Sequence, residues 1–306
     1  MIPICAPENA KLPTVLALGS FDGLHLGHKK VIKAILKEPI GVPTVVSFWP
    51  HPREVLFGEA RLKLDLPTEK ALLLKPLGIE QLVLVPFNKS LASQSAETFV
   101  DETLVKKLDA KHIAVGENFR FGRNREGDVS TLRKIGASLG IKVSIVPILA
   151  DHQGRLSTSR IREALKNGDL KHAKNLLNRP YTFRGMVERG RGLGKKIGWP
   201  TANLKVDGRK FLPSLGVYAA WASIASKKER FFAVMNLGPQ PTISPNSSSA
   251  VEVHLLDKSI NLLGKELIIE PVQRIRIQKK FNSINELSRQ IGFDAKLARE
   301  ILTSTI

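Results

Sequence analysis

The sequence predicts two folds in series: an α/β domain with a parallel sheet, then an antiparallel β-barrel with a terminal helix. Three observations lead there. In the first half, short apolar runs alternate with segments of helical periodicity. After Pro180, apolar runs follow one another across Gly- and Pro-rich loops. Helical periodicity returns only near the C-terminus. Alternating strands and helices imply a parallel sheet covered on both faces, whereas uninterrupted short strands imply antiparallel closure.

Residues 15–19 form a short apolar run ending in glycine. Residues 28–38 carry Val31, Ile32, Ile35 and Leu36 on one helical face. Further strands are expected over 44–48, 81–86, 112–116 and 141–146, with helical segments between them, for example 96–108. Helices over 158–167 and 169–177 close this half, because Asn167-Gly168-Asp169 supplies a stop and a new N-cap. The domain boundary is expected at 178–180, giving domains 1–180 and 181–306. Strands are then expected over 182–187, 217–222, 231–234, 251–256 and 266–275, with no helix among them. Helical segments over 284–291 and 295–301 should pack on the barrel.

The 306 residues suit about two domains at roughly 100–200 residues each. The net charge of +19 favours anionic partners. That charge is spread along the chain, with only short concentrations such as Lys227-Lys228-Glu229-Arg230 and Lys279-Lys280. No zinc-finger, helix-turn-helix or aromatic RNA-binding signature accompanies it, so no nucleic-acid partner is expected. The single cysteine, Cys5, excludes an intrachain disulfide. No apolar run reaches the roughly 18 residues of a spanning helix, and the N-terminus lacks a signal-peptide pattern. A cytoplasmic protein without a membrane partner is the expectation. Nothing in the sequence sets an oligomeric state.

The stretch Gly19-Ser20-Phe21-Asp22-Gly23-Leu24-His25-Leu26-Gly27-His28 follows a strand and precedes a helix. Glycines let backbone approach a ligand, and a helix N-terminus offers free N–H groups and partial positive charge to phosphate. His25 and His28 can donate hydrogen bonds to phosphate oxygens and stabilise charge developing there. Zinc is disfavoured, because no cysteine or carboxylate cluster accompanies the pair.

The HxGH pattern resembles the nucleotidyltransferase superfamily. The longer string, with Ser47-Phe48-Trp49-Pro50-His51-Pro52, residues 116–122, Gly127-Asp128 and residues 157–162, resembles bacterial bifunctional riboflavin kinase/FAD synthetase. The resemblance implies a Rossmann-like nucleotidyltransferase domain followed by a riboflavin-kinase barrel. It makes Gly19, Phe21, Asp22 and Gly23 nucleotide-binding, with Asn118 touching the nucleotide. It also makes Arg155, Ser157, Thr158, Ser159 and Arg162 a mobile clamp on the phosphates. The usual Ser-Ser-Thr order is Ser-Thr-Ser here, which keeps the hydroxyls.

In the second half, Gly190-Arg191-Gly192-Leu193-Gly194-Lys195-Lys196-Ile197-Gly198 precedes Trp199-Pro200-Thr201-Ala202-Asn203. Glycines can cradle phosphate with backbone N–H groups. This is not a Walker A loop. With Pro200–Asn203 behind it, the stretch resembles the riboflavin kinase signature. By that resemblance Gly190, Gly194 and Lys195 bind ATP phosphates, Thr201 and Asn203 hold Mg2+, and Glu252 is the general base. Lys195 stands where arginine is usual. Glu252 and His254 share one face of an alternating strand, and His254 reads as structural. Residues 235–242 resemble a loop near the flavin ring and phosphates. The implied substrates are ATP, riboflavin and FMN. The rivals are a cytidylyltransferase-like or synthetase-like enzyme, a basic nucleic-acid-binding module and a chain with one decayed half.

Overall fold

The computed structural model describes residues 1–36, 40–190, 193–227, 229–238, 251–258 and 260–305. Two compact units divide the chain, Met1–Thr158 and Ser159–Ile306.

The first unit is built on six strands: β1 (Ile4–Cys5), β2 (Thr14–Leu18), β3 (Val42–Trp49), β4 (Gln81–Pro86), β5 (Ala110–Gly116) and β6 (Lys142–Val146). Every pair is parallel, in the order β1-β4-β3-β2-β5-β6. The alternation of β2 shows why the sheet is covered on both faces. Leu16 and Leu18 enter a core with Phe99, Val100, Leu104 and Leu132, while Val15 and Ala17 enter another with Val31, Ile32, Ala71 and Leu74. Those partners come from α1 (Leu26–Ala34), α3 (Pro67–Leu74), α5 (Ala96–Phe99) with its π-helical continuation Val100–Lys107, and α6 (Val129–Ser138). Short helices α2 (Pro52–Phe57) and α4 (Lys89–Ala92) complete the layer.

The chain runs outward from β2 through β3 to β4, then returns to the other side of β2 for β5 and β6. The order therefore reverses between β2 and β5, where open parallel sheets bind ligands beyond the strands' carboxyl ends. A small hairpin, β7 (Ala150–Asp151) and β8 (Gly154–Arg155), follows.

Helices α7 (Thr158–Lys166) and α8 (Leu170–Leu177) come next. Asp169 caps α8, accepting the His172 N–H at 2.9 Å, as the Asn-Gly-Asp stretch predicts. The second unit holds a closed antiparallel barrel of β9 (Phe183–Glu188), β10 (Ala202–Lys205), β11 (Gly216–Ile224), β12 (Arg230–Leu237), β13 (Val251–Leu255) and β14 (Glu266–Arg276). Their order is β10-β13-β12-β11-β14-β9, closed by β9 on β10. Helix α9 (Leu193–Lys196) lies between β9 and β10. The last helix, α10 (Ile284–Thr303), lays Ala295, Ala298 and Leu302 on Val217, Ala219 and Val234. It is pinned by Asp294, 2% exposed, which takes Arg276 in a two-pronged ion pair at 2.8–3.1 Å.

The structure departs from the sequence reading in several places, among them β1, the β7–β8 hairpin and a single helix α10 over the two expected C-terminal segments. Strand β10 is a sixth barrel strand that was not expected, and α9 is a helical turn inside the barrel segment. Residues 235–237 lie in β12 rather than in a loop, with Met235 fully buried. Arg191, Gly192, Lys228 and residues 239–242 of the expected loop lie outside the described residues. Among the described residues no helix is long and apolar enough to cross a membrane.

Candidate functional site

The stretch 19–28 leaves the carboxyl end of β2, beside the switch point. His25 is the N-cap of α1. Its Nδ1 accepts the His28 N–H at 3.4 Å, so the proton sits on Nε2 and can be donated outward. The two imidazoles stack with centroids 3.6 Å apart. Gly27 makes room for this, since a β-carbon there would lie 3.1 Å from the His25 ring. Phe21 stands edge-on to His28 at 5.4 Å. A β-carbon on Gly19 would meet the Phe21 ring at 3.2 Å.

Electrostatics keep both histidines neutral. Burial, reinforced by Arg155 and opposed by Asp22, brings His25 down to about 4. Burial also depresses His28 well below its ordinary value, aided by His25, Lys70 and Arg155. The pair thus offers uncharged N–H donors, while nearby cations supply positive potential for an anion. Arg155 sits on β8, exposed, on the hairpin.

Asp22 anchors the loop. It is 6% exposed, and its Oδ1 accepts the N–H of Leu64 at 2.8 Å and of Asp65 at 3.3 Å. Its carbonyl accepts the Thr158 hydroxyl at 2.9 Å. Thr158 therefore opens α7 while bonded to the 19–28 loop. Ser157 precedes it, half-buried, and Ser159 is exposed. Arg162 belongs to the second unit and lies over the Phe211 ring at 5.4 Å. Asn118 is exposed on the loop after β5, where the paired Phe119 and Phe121 rings turn into the core as their apolar character predicts.

Sequence reasoning missed several residues here. Lys63, Asp65 and Lys70 are all less than a tenth exposed, yet nothing in their spacing marks them as inward. His51 caps α2, and burial with Lys63 and Arg61 nearby holds it at about 4. Its only sequence signal was membership of the 47–52 string.

On the barrel, strand register assembles the second set. Glu252 on β13 pairs with Asn203 on β10 and with Asn236 on β12, and Asn203 pairs with Glu188 on β9. These residues make one row on the outer face, since Val251 and Val253 point inward. Gly190 sits against Asn203 so closely that a β-carbon would fall 1.9 Å from its Nδ2. A β-carbon on Gly194 would lie 2.3 Å from the Trp199 carbonyl oxygen and 3.1 Å from Thr201 Oγ1. Gly190, Gly194, Thr201, Asn203 and Glu252 therefore converge. Lys195 is exposed one residue further, on α9. His254 is structural, as its place suggests: its Nδ1 pairs with the Pro200 carbonyl at 2.7 Å, and Trp199 stands edge-on to its ring. Trp199 Nε1 donates to Ser288 on α10 at 3.1 Å. The segment carrying Thr201 is thus held by β13 and α10 together.

Comparison with known proteins fits both assemblies. Residues 8–160 match the family model described as FAD synthetase, and residues 177–302 match that described as riboflavin kinase. The chain is 35% identical over 293 residues to a bifunctional riboflavin kinase/FMN adenylyltransferase of Haemophilus influenzae, covering 94% of each chain. It is 37% identical over 300 residues to the protein of the same description in Bacillus subtilis, covering 95% of this chain and 92% of that one. A crystal structure described as a macrolide-efflux protein from Streptococcus pneumoniae aligns with a TM-score of 0.82 at 30% identity, covering 97% of this chain and 98% of the other. That description names a transport activity, whereas both family models and the relatives above name enzymes.

Proposed function

The chain belongs to the family of bifunctional riboflavin kinase/FMN adenylyltransferases, ATP-dependent transferases that make FMN and then FAD, and we propose how its residues divide that work. The adenylyltransferase domain is 1–180 and the kinase domain 181–306. ATP, riboflavin and FMN are the partners, and the cytoplasm is the site of action.

In adenylyl transfer, an FMN phosphate oxygen attacks the α-phosphorus of ATP, and pyrophosphate leaves with the broken bond's electrons. Neutral His25 and His28 donate hydrogen bonds to oxygens that gain charge in the transition state. Arg155, Ser157 and Thr158 close on the remaining phosphates, and Asn118 contacts the nucleotide. Gly19, Phe21, Asp22 and Gly23 bind the nucleotide through the loop they shape. No covalent enzyme intermediate is needed, because positioning and electrostatics suffice for such transfers.

In the kinase reaction, Glu252 accepts the proton of the ribityl 5′-hydroxyl as that oxygen attacks the γ-phosphorus and ADP leaves. Gly190, Gly194 and Lys195 receive the phosphates. Enzymes of this kind use a divalent metal, which we assign as Mg2+, held by Thr201 and Asn203. Neutral hydroxyl and amide oxygens, completed by phosphate and water, suit that ion. Gly190, by lacking a β-carbon, leaves the Asn203 amide its place. Among the described residues no cluster of three or more His, Cys, Asp or Glu competes as a metal site. When bound, the ion neutralises phosphate charge.

The observation that most supports this division is the direct strand pairing of Asn203 with Glu252 in a chain that also stacks His25 on His28. Purified protein incubated with riboflavin and MgATP should give FMN and then FAD, resolved by chromatography. No flavin nucleotide at all would overturn the reading, and FMN without FAD would confine it to the barrel.

A further inference from the structure

A buried lysine stands behind the phosphate loop of the first unit. Lys70, in the first turn of α3, is 7% exposed, and its Nζ donates to the Ser20 carbonyl at 2.7 Å. The Ser47 hydroxyl at the end of β3 donates to the same oxygen at 3.2 Å. Two residues on, the Asp22 carboxylate is held by the Leu64 and Asp65 N–H groups. The 63–70 segment therefore grips the loop on both sides of Phe21.

That grip matters because of the loop's backbone. Phe21 has φ +47°, Gly23 +91° and Leu24 +43°. Side-chain-bearing residues seldom adopt this region, and they stay there only when their surroundings over-determine it. Burying an ammonium is itself costly, and an apolar side chain of similar size would serve the core at least as well. Burial lowers the proton affinity of Lys70, while Asp22 and Asp65 act against that. Its charge also falls on His28, together with that of Arg155.

We propose that Lys70 is a positioning residue for adenylyl transfer: by fixing the Ser20 carbonyl it sets the course of residues 20–24 and hence where the His25 and His28 rings meet the phosphates. The proposal rests on the assignment of residues 19–28 to that reaction.

Lys70→Met, nearly isosteric and uncharged, tests it in the full chain, with FAD formation from FMN and FMN formation from riboflavin measured on one preparation. A displacement of about 1 Å at a reacting centre costs about 100-fold. The expected result is a loss of that order in kcat for adenylylation, with KM for ATP little changed, because the loss falls on the transition state. Riboflavin phosphorylation and the thermal midpoint should stay at wild-type values. Unchanged adenylylation would overturn the proposal. So would a lower midpoint with both activities falling together, the mark of a merely structural residue. If the variant does not fold, Lys70→Gln decides, since its shorter neutral amide withdraws the charged donor from the Ser20 oxygen while keeping a polar group. A fall of about 5-fold in kcat is expected there, and wild-type kcat would overturn the proposal. His28→Ala is run alongside. Full adenylylation in His28→Ala would instead overturn the assignment of residues 19–28. Loss in His28→Ala with retention in Lys70→Met would overturn the role of Lys70 alone.

Discussion

Replacing Gly190 with alanine should separate the kinase's activity from its stability. The added carbon would sit 1.9 Å from Asn203 Nδ2 and 2.5 Å from Cγ, so something must move. The obstacle is the free end of a side chain, and Asn203 can rotate away. A displaced rotamer costs about 1 kcal/mol, which lowers the midpoint of a unit this size by only about 2–4 °C. The rotated amide, however, leaves its place beside Glu252 and the oxygen-ligand role proposed for it. A loss of about 100-fold in kcat, or roughly 2.7 kcal/mol of transition-state stabilisation, is the expected scale. FMN formation from riboflavin is the assay, with FAD formation from FMN as internal reference and thermal unfolding as control. Gly194→Ala gives the contrast. Its carbon would lie 2.3 Å from the Trp199 carbonyl oxygen, a backbone atom, and would disturb the Trp199 N–H bond to the Gly194 carbonyl at 2.8 Å. There, stability and kinase activity should fall together. Wild-type phosphorylation by Gly190→Ala would refute the placement of Asn203 in the site.

Two further expectations concern stability. His25 is held at about 4 in the folded state against 6.5 when free, so between those values the unfolded chain binds more protons. The contribution is complete above pH 6.5 and lost as pH falls to about 4, amounting to about 3–4 kcal/mol at about 1.4 kcal/mol per unit. His51 shifts in the same direction and, being more exposed, adds less. Hydrogen exchange of β2 and α1 amides from pH 7.5 to 4.5 should show this loss, and a flat profile would contradict it. Asp294→Ala removes the buried partner of Arg276 and should cost about 3 kcal/mol. The thermal midpoint of the barrel should fall while FAD formation from FMN persists, and an unchanged midpoint would show that the ion pair does not anchor α10.

Legibility followed how much each element depends on its neighbours. The β2 loop could be read because strand, glycines, histidines and helix start are contiguous, and the alternation of β13 showed Glu252 and His254 on one face. Strand β10 was not legible: it has four residues, only Leu204 of them fully buried, and Pro200–Asn203 reads as a loop until its partners β9 and β13 are known. Helix α9 lies in a glycine-rich stretch that local propensity assigns to coil. Lys70 is invisible in sequence because a lysine in an amphipathic helix reads as solvent-facing. What turns it inward is the Ser20 carbonyl, 50 residues away in sequence. Asp22 reads as a ligand-binding carboxylate only through the resemblance, and the ties of its side chain to residues 64 and 65 could not be read from the sequence.

Two separate sites joined only by free FMN are tested most directly by mixing two disabled enzymes. Glu252→Ala should convert FMN to FAD but leave riboflavin untouched, and His28→Ala should stop at FMN. Mixed with riboflavin and MgATP, the pair should restore FAD, with FMN accumulating first. Loss of both half-reactions in either folded variant, or no FAD from the mixture while each keeps its own step, would contradict two independent sites.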